Sequence, residues 1–98
     1  MNIKIYNQLK ELKPVLKERF GIEEFAIFGS VARGTDTEDS NVDIAILKNN
    51  NHSLFLRLEA IDFLKEQLNK DVDMGTFSSM KTFIKNRIKK DFVYVWYR

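Results

Sequence analysis

Two short stretches of this sequence combine side chains that can handle phosphate groups and a divalent cation. The first is Gly29-Ser30, directly after the apolar run 25–28, and the second is Asn41-Val42-Asp43, after ten intervening residues. Glycine permits a tight turn, and a serine hydroxyl with nearby backbone N–H groups can meet an anion. Side-chain oxygens at positions 41 and 43 can bind a hard cation. Together these stretches indicate a site for a nucleoside triphosphate with magnesium.

The elements that position these residues follow from the apolar pattern. The run from Glu24 to Phe28 predicts a buried first strand, and Gly29 ends it. Ser30 stands where a short helix would begin, so a role as a simple helix N-cap is the alternative to a phosphate contact. The stretch from Asn41 to Leu47 alternates with period two, which predicts a strand with positions 41 and 43 on one face. Its other face carries Val42, Ile44 and Ile46.

With this spacing the chain resembles the minimal nucleotidyltransferase family of the polymerase-beta-like superfamily. That family's signature is Gly-Ser, ten residues, then Asp-x-Asp, and here Gly29-Ser30 is followed at that distance by Asn41 and Asp43. The continuation Ala32-Arg33-Gly34 and Ser40, just before the pair, also match the residues usually found at these positions of the family's motif. The sequence departs from the signature at the first acidic position, which holds asparagine. The resemblance covers nearly the whole chain and implies the family's mixed-sheet fold.

A third acidic residue is expected on a later strand, and the stretch from Asp71 to Thr76 predicts that strand. Asp71 and Asp73 share one face of it, so direction alone does not choose between them. The family's third acid lies in a Val-Asp pair after an apolar residue, which implies Asp73. The alternative is that this carboxylate is merely exposed on a strand.

The resemblance implies a role for each matched residue. Asp43 and Asp73 would hold Mg²⁺, with Asn41 as a weak ligand through its amide carbonyl. Gly29 and Ser30 would cradle the β and γ phosphates of ATP or another nucleoside triphosphate. Asp73 would also act as the base near the attacking hydroxyl, because it is the acid that does not adjoin the phosphate-binding turn at Gly29-Ser30.

Arg33 has two interpretations. It can contact phosphate as a fixed cation with planar donors, or it can hold the acidic loop 35–40 that follows. That loop is typical of a solvated turn. Glu38 or Asp39 within it is a candidate to replace the carboxylate that is missing at position 41.

Small members of the resembled family are often antitoxins that transfer AMP from ATP to a helical HEPN-type ribonuclease toxin. The resemblance therefore implies a nucleotidyltransferase with a protein partner. A competing hypothesis is a binding module that keeps the fold and neutralises its partner sterically, and Asn41 favours it because a neutral oxygen weakens a hard-cation site. A third, an RNA-binding adaptor, depends on the lysines of the last predicted helix, at 81, 85, 89 and 90.

Composition limits the other possibilities. A chain of 98 residues predicts one domain, spanning 1–98, without a separate substrate domain. A net charge of +2 does not by itself argue for nucleic acid. The sequence has no cysteine, no apolar leader and no run long enough to cross a bilayer. We therefore expect a cytoplasmic protein.

Helical spacing predicts a first helix over 3–20, in which Pro14 either kinks one helix or begins a second. Ser53 would cap another helix, whose apolar face carries Leu54, Leu58, Ile61, Leu64 and Leu68, widened by Phe55 and Phe63. The last helix would begin at Ser78 or Ser79. The order helix, strand, short helix, strand, helix, strand, helix, strand predicts an α/β (α+β) fold: a small mixed sheet with helices mainly on one side.

The C-terminal stretch 92–97 is apolar on both faces of its predicted strand. A strand buried on one side alone would alternate with polar residues. Unless the monomer covers both faces, part of this tail is expected to bury against another chain, either a partner or a second copy.

Overall fold

The computed structural model describes residues 1–95, and in them the predicted order of elements is confirmed. The helices are α1 (Ile3–Phe20), α2 (Gly29–Arg33), α3 (Leu54–Leu68) and α4 (Thr82–Ile88). The strands are β1 (Ile22–Phe28), β2 (Val42–Asn49), β3 (Val72–Thr76) and β4 (Val93–Tyr94). Two 3₁₀ turns, Phe77–Ser79 and Lys89–Asp91, flank α4.

The four strands form one mixed sheet in the order β3-β2-β1-β4. β1 is antiparallel to both β2 and β4, whereas β2 and β3 are parallel. Parallel neighbours need a crossover connection, and α3 supplies it. The carboxyl end of β1 therefore lies beside the amino ends of β2 and β3. This arrangement brings the stretches 29–30 and 41–43 to one edge of the sheet.

The two faces of the sheet carry side chains of different size. The face beneath α1 and α3 is built from large apolar residues of the core: Phe25, Ile27, Ile44, Ile46 and Val72. On the opposite face, Ala26, Ala45 and Gly75 lie side by side across β1, β2 and β3. The segment that follows β3 approaches this face, since a Cβ on Gly75 would lie 3.4 Å from the Met80 side chain. The fold class predicted from the sequence is confirmed.

The first helix is one continuous element. Asn2 caps it by accepting a hydrogen bond from the Ile5 backbone N–H, and the helix ends before Gly21. Pro14 lies inside the helix and does not divide it, so of the two alternatives the division into two segments is wrong. Neither α1 nor any other helix within residues 1–95 is long and apolar enough to cross a bilayer.

The predicted cap of α3 is confirmed, because the Ser53 hydroxyl accepts a hydrogen bond from the Leu56 backbone N–H. The predicted apolar face is wrong in its first half. Leu58 is 55% exposed, and the buried line instead begins at Ala60, which is completely buried. Because an α-helix turns about 100° per residue, these two side chains point in nearly opposite directions. Leu54 and Phe55 are exposed with Leu58, whereas Ala60, Leu64 and Leu68 are buried.

The C-terminal region differs from its prediction. Residues 77–79 form a 3₁₀ turn, so the last helix begins at Thr82 instead of Ser78 or Ser79. The predicted strand 92–97 is a strand at Val93–Tyr94 only. Val95 is 1% exposed, and Tyr94 is 41% exposed. Val93 lies opposite Ile27 in the register, and both Val93 and Val95 pack with the apolar core beneath α1 and α3, so the chain itself covers these two side chains. Trp96 and Tyr97 lie outside the described residues.

Candidate functional site

The turn after β1 places glycine against a carboxylate. Gly29 has a φ of 77°, and an added Cβ would collide with Oδ2 of Asp43. α2 begins at Gly29 itself, with Phe28 in the N-cap position. The interpretation of Ser30 as only an N-cap is therefore wrong, because Ser30 lies within the first turn of the helix. α2 is anchored by Val31, which is completely buried.

Asp43 and Asp73 occupy opposite positions on neighbouring strands. They are direct partners in the parallel register of β2 and β3, so both side chains lie on the same face of the sheet. Phe28 pairs with Asp43 from the other side, which puts the glycine turn next to this carboxylate. The structure thus brings Gly29, Asp43 and Asp73 together, as the sequence predicted.

The ionised form of the Asp43 carboxyl group is disfavoured in the protein alone. Its pKa is raised, first by partial burial and then by the negative charge of Asp73, whereas the charge of Arg33 lowers it. Burial and a like charge both disfavour ionisation. A cation placed between the two carboxylates would remove that penalty.

Asn41 lies just before β2 and contacts Asp73. Its Nδ2 donates a hydrogen bond to Oδ2 of Asp73 over 3.0 Å. An amide can make this contact, whereas a carboxylate at position 41 would repel Asp73. Asn41 therefore holds the third acidic residue in place, a contact that the sequence did not predict.

Asp71 is separated from the carboxylate pair by its own ion pair. Its side chain is 75% exposed, and its Oδ1 lies 3.6 Å from Nζ of Lys65 on α3. It contributes to the sheet through its backbone, where its carbonyl oxygen accepts a hydrogen bond from the Val42 N–H. The strand register, not the side-chain direction, pairs Asp73 with Asp43.

Arg33, at the last position of α2, pairs with a residue far away in the sequence. Its Nη1 lies 2.7 Å from Oδ2 of Asp91 in the second 3₁₀ turn. The interpretation that Arg33 holds the loop 35–40 is therefore wrong. Lys70 holds that loop instead, since its Nζ donates to the carbonyl oxygens of Thr37 and Glu38. Neither Lys70 nor Asp91 carried a signal that sequence patterns could have revealed.

Glu38 and Asp39 do not replace the missing carboxylate. Both are exposed and line a cavity of about 390 Å³ together with Ser40, Lys65, Asn69, Lys70 and Asp71. Within residues 1–95 no three side chains of the His, Cys, Asp and Glu types cluster in a way that could hold a metal. The candidate metal site thus has two carboxylates, with Asn41 at the third position.

The residues present nevertheless fit a divalent cation. Two carboxylates share one face, burial and mutual repulsion raise the pKa of one of them, and an amide fixes the other. Oxygen donors of this kind suit Mg²⁺ and similar hard cations. The Gly29 turn adjoins them, so phosphate groups and a cation can be bound at one edge of the sheet.

Comparison with known proteins agrees with this geometry. The family model described as nucleotidyltransferase domain matches residues 9–95. Protein adenylyltransferase MntA of Thermococcus cleftensis is 39% identical over 83 residues, which cover 85% of this chain and 84% of that protein.

Two solved structures share the fold. A toxin–antitoxin structure with AMP-PNP is 25% identical and has a TM-score of 0.76, covering 93% of this chain and 72% of that chain. The structure of a tri-AMPylated Shewanella oneidensis HEPN toxin in complex with MNT antitoxin has a TM-score of 0.70 at 21% identity, covering 98% of this chain and 72% of that chain. On the family match and the shared fold, this chain belongs to the nucleotidyltransferase domain family and, within it, to the minimal nucleotidyltransferases.

Proposed function

We propose that this chain transfers AMP from ATP to a hydroxyl group on a helical, HEPN-type protein partner, in a reaction that uses Mg²⁺. The observation that carries the proposal is the pairing of Asp43 with Asp73 beside the Gly29 turn. The relative named protein adenylyltransferase supports AMP as the transferred group and a protein as the acceptor. The complex of an MNT antitoxin with a HEPN toxin supports the class of partner.

Different residues at this edge of the sheet bind the phosphate groups and the cation of the nucleotide. The backbone at Gly29 and the hydroxyl of Ser30 receive the β and γ phosphates, since α2 begins there and exposes N–H groups. Arg33 adds a cation at the other end of the same short helix. Asp43 and Asp73 hold Mg²⁺, which when bound neutralises the charge that develops on the phosphates.

The transfer is a displacement at the α-phosphorus of ATP. The acceptor oxygen bonds to this phosphorus while the bond to the bridging oxygen of the β phosphate breaks, and pyrophosphate leaves. Asp73 takes the proton of the acceptor hydroxyl. It suits this role because it is exposed and lies one strand further from the phosphate turn than Asp43. Asn41 keeps its carboxylate in position through the amide N–H.

One observation favours a second candidate function. A set of two carboxylates and an amide binds hard cations more weakly than three carboxylates do. A chain with this set could keep the fold and neutralise a partner by steric cover alone. Catalysis requires metal-dependent nucleotide binding and the steric function does not, so nucleotide binding separates the two.

The test begins with thermal unfolding in the presence of ATP and Mg²⁺. A ligand that binds only the native state raises the melting temperature by mass action. Ser30→Ala and Asp43→Ala should each reduce this increase, whereas Asp71→Ala, which removes a carboxylate paired with Lys65, should not. Labelled ATP, Mg²⁺ and the product of the adjacent reading frame then test transfer itself. Nucleotide-independent binding of that partner without transfer would favour the steric function.

A further inference from the structure

Two neighbouring residues, Asp91 and Phe92, contact the last residue of α2 and the residue in its N-cap position. The ring of Phe92 lies 6.2 Å from that of Phe28, which immediately precedes the Gly29 turn. The carboxylate of Asp91 lies 2.7 Å from the guanidinium of Arg33, the last residue of the helix. These two residues therefore bracket the element that carries the proposed phosphate turn.

The position of Asp91 is fixed by its surroundings and not by the ion pair alone. Its side chain is 25% exposed, and it ends a 3₁₀ turn. The next residue, Phe92, packs its ring 5.2 Å from Phe77 and 5.8 Å from Tyr94. The Arg33 side chain is 51% exposed, so on its own it would sample many rotamers. Contact with an anchored carboxylate removes most of that freedom in advance.

The guanidinium keeps donors for a ligand after it pairs with Asp91. Arginine has five N–H donors in a planar fork, and the described contact to Asp91 uses Nη1. Its charge also reaches the candidate site, since Arg33 is among the groups that act on Asp43. A guanidinium held in this way can meet phosphate oxygens with its remaining N–H groups.

We propose that Asp91 is a positioning residue, which holds Arg33 in the orientation that contacts the phosphates of a bound nucleoside triphosphate. This inference rests on the proposed function, because it takes the Gly29 edge of the sheet as the nucleotide site. It assigns a part in nucleotide affinity to a residue 58 positions from Arg33 in the sequence. Asp91 itself does not touch the nucleotide.

The test is calorimetric titration of the protein with a non-hydrolysable ATP analogue and Mg²⁺. Asp91→Ala should raise the dissociation constant about fivefold, the usual scale for losing the orientation of one hydrogen-bonded contact. Asp91→Glu, which keeps a carboxylate, should recover at least half of the loss. In an Arg33→Gln background, Asp91→Ala should have no further effect. With the partner present, KM for ATP should rise while kcat stays within twofold.

Glu11→Ala removes one exposed negative charge on α1 and serves as the control for net charge. If Asp91→Ala does not unfold cooperatively, Asp91→Asn decides the same question. The proposal is overturned if loss of the carboxylate leaves affinity unchanged, tightens binding, or weakens binding equally with and without Arg33. Failure of the natural protein to bind the analogue at all would instead reject the proposed function.

Discussion

The amide of Asn41, which stands where the family signature has its first aspartate, donates a hydrogen bond of 3.0 Å to the carboxylate of Asp73. In the protein alone this contact is favourable, because an amide stabilises a carboxylate that a neighbouring acid would repel. The ionisation of Asp43, on the adjacent strand, is already disfavoured by its partial burial and by the negative charge of Asp73. Asparagine therefore lowers the electrostatic cost of the metal-free site and at the same time supplies less charge to a cation.

The first prediction concerns Asn41→Asp. Without metal, the variant should lose about 1 kcal/mol of unfolding free energy, since it replaces a hydrogen bond by repulsion at an exposed position. A unit charge pair at ~4 Å is worth about 4 kcal/mol gross near a protein surface, much of which desolvation removes. We therefore expect the Mg²⁺ concentration for half-maximal stabilisation to fall about tenfold, which is ~1.4 kcal/mol. Thermal unfolding titrated with Mg²⁺ measures both effects.

Asn7→Asp makes the same change of charge on the exposed surface of α1 and should alter neither quantity beyond the effect of net charge. An Asn41→Asp variant with the Mg²⁺ response of the natural protein would remove position 41 from the metal site. AMP transfer in both forms then shows whether the asparagine slows catalysis.

Sequence patterns predicted the order of elements and the strand carrying Asp43, because period-two alternation and glycine breaks are local properties. They could not choose between Asp71 and Asp73, which point the same way along one strand. The choice depends on how β3 aligns with β2, where Asp73 is opposite Asp43 and Asp71 pairs with Lys65. Such a register is a tertiary property.

Other contacts had no local signal. The Arg33–Asp91 pair joins residues 58 apart, and Asp91 lies in the connection between β3 and β4, the two edge strands of the sheet. The apolar face of α3 was misassigned because leucines outnumber alanines along the helix. The packing instead selects the line through Ala60, where a small residue sits completely buried.

The second prediction tests this revised face of α3. Leu64→Ala should cost about 3 kcal/mol of unfolding free energy, since Leu64 is completely buried and its truncation leaves a cavity. Phe55→Ala should change stability by less than about 0.5 kcal/mol, because Phe55 is 71% exposed. Urea unfolding of the two variants measures the difference. Equal losses would contradict the burial pattern given for this helix.

The third prediction concerns Lys13, which is 4% exposed on α1. Burial lowers the pKa of Lys13 below the ordinary value of 10.5. The negative charge of Glu24 raises this pKa, whereas the positive charge of Lys17 lowers it further. The native state therefore binds this proton more weakly than the unfolded state does. The contribution of Lys13 to the unfolding free energy is therefore lowest at pH values below its native pKa. It rises as the pH increases from that native pKa to the ordinary value of 10.5.

Lys13→Met removes this titration, so the unfolding free energy of the natural protein should rise relative to that of the variant as pH increases through that window. Urea unfolding of both proteins at pH values from neutral to strongly alkaline gives the comparison. Lys4→Met, at an exposed position of the same helix, corrects for the loss of one positive charge. A gap that stays constant across this range would show that the native environment does not perturb Lys13.

The fourth prediction concerns Gly29→Ala at the phosphate turn. With a φ of 77°, alanine would adopt a left-handed conformation, and its Cβ would collide with the Asp43 carboxylate. We expect a loss of about 1–3 kcal/mol in unfolding free energy and a smaller increase in melting temperature with ATP and Mg²⁺, since Asp43 must move. Gly75→Ala is the matched control on the same face of the sheet, where a Cβ would lie 3.4 Å from the flexible Met80 side chain. It should cost less than about 1 kcal/mol and keep the nucleotide response. A Gly29→Ala protein as stable and as responsive as this control would show that the close approach to Asp43 is not required.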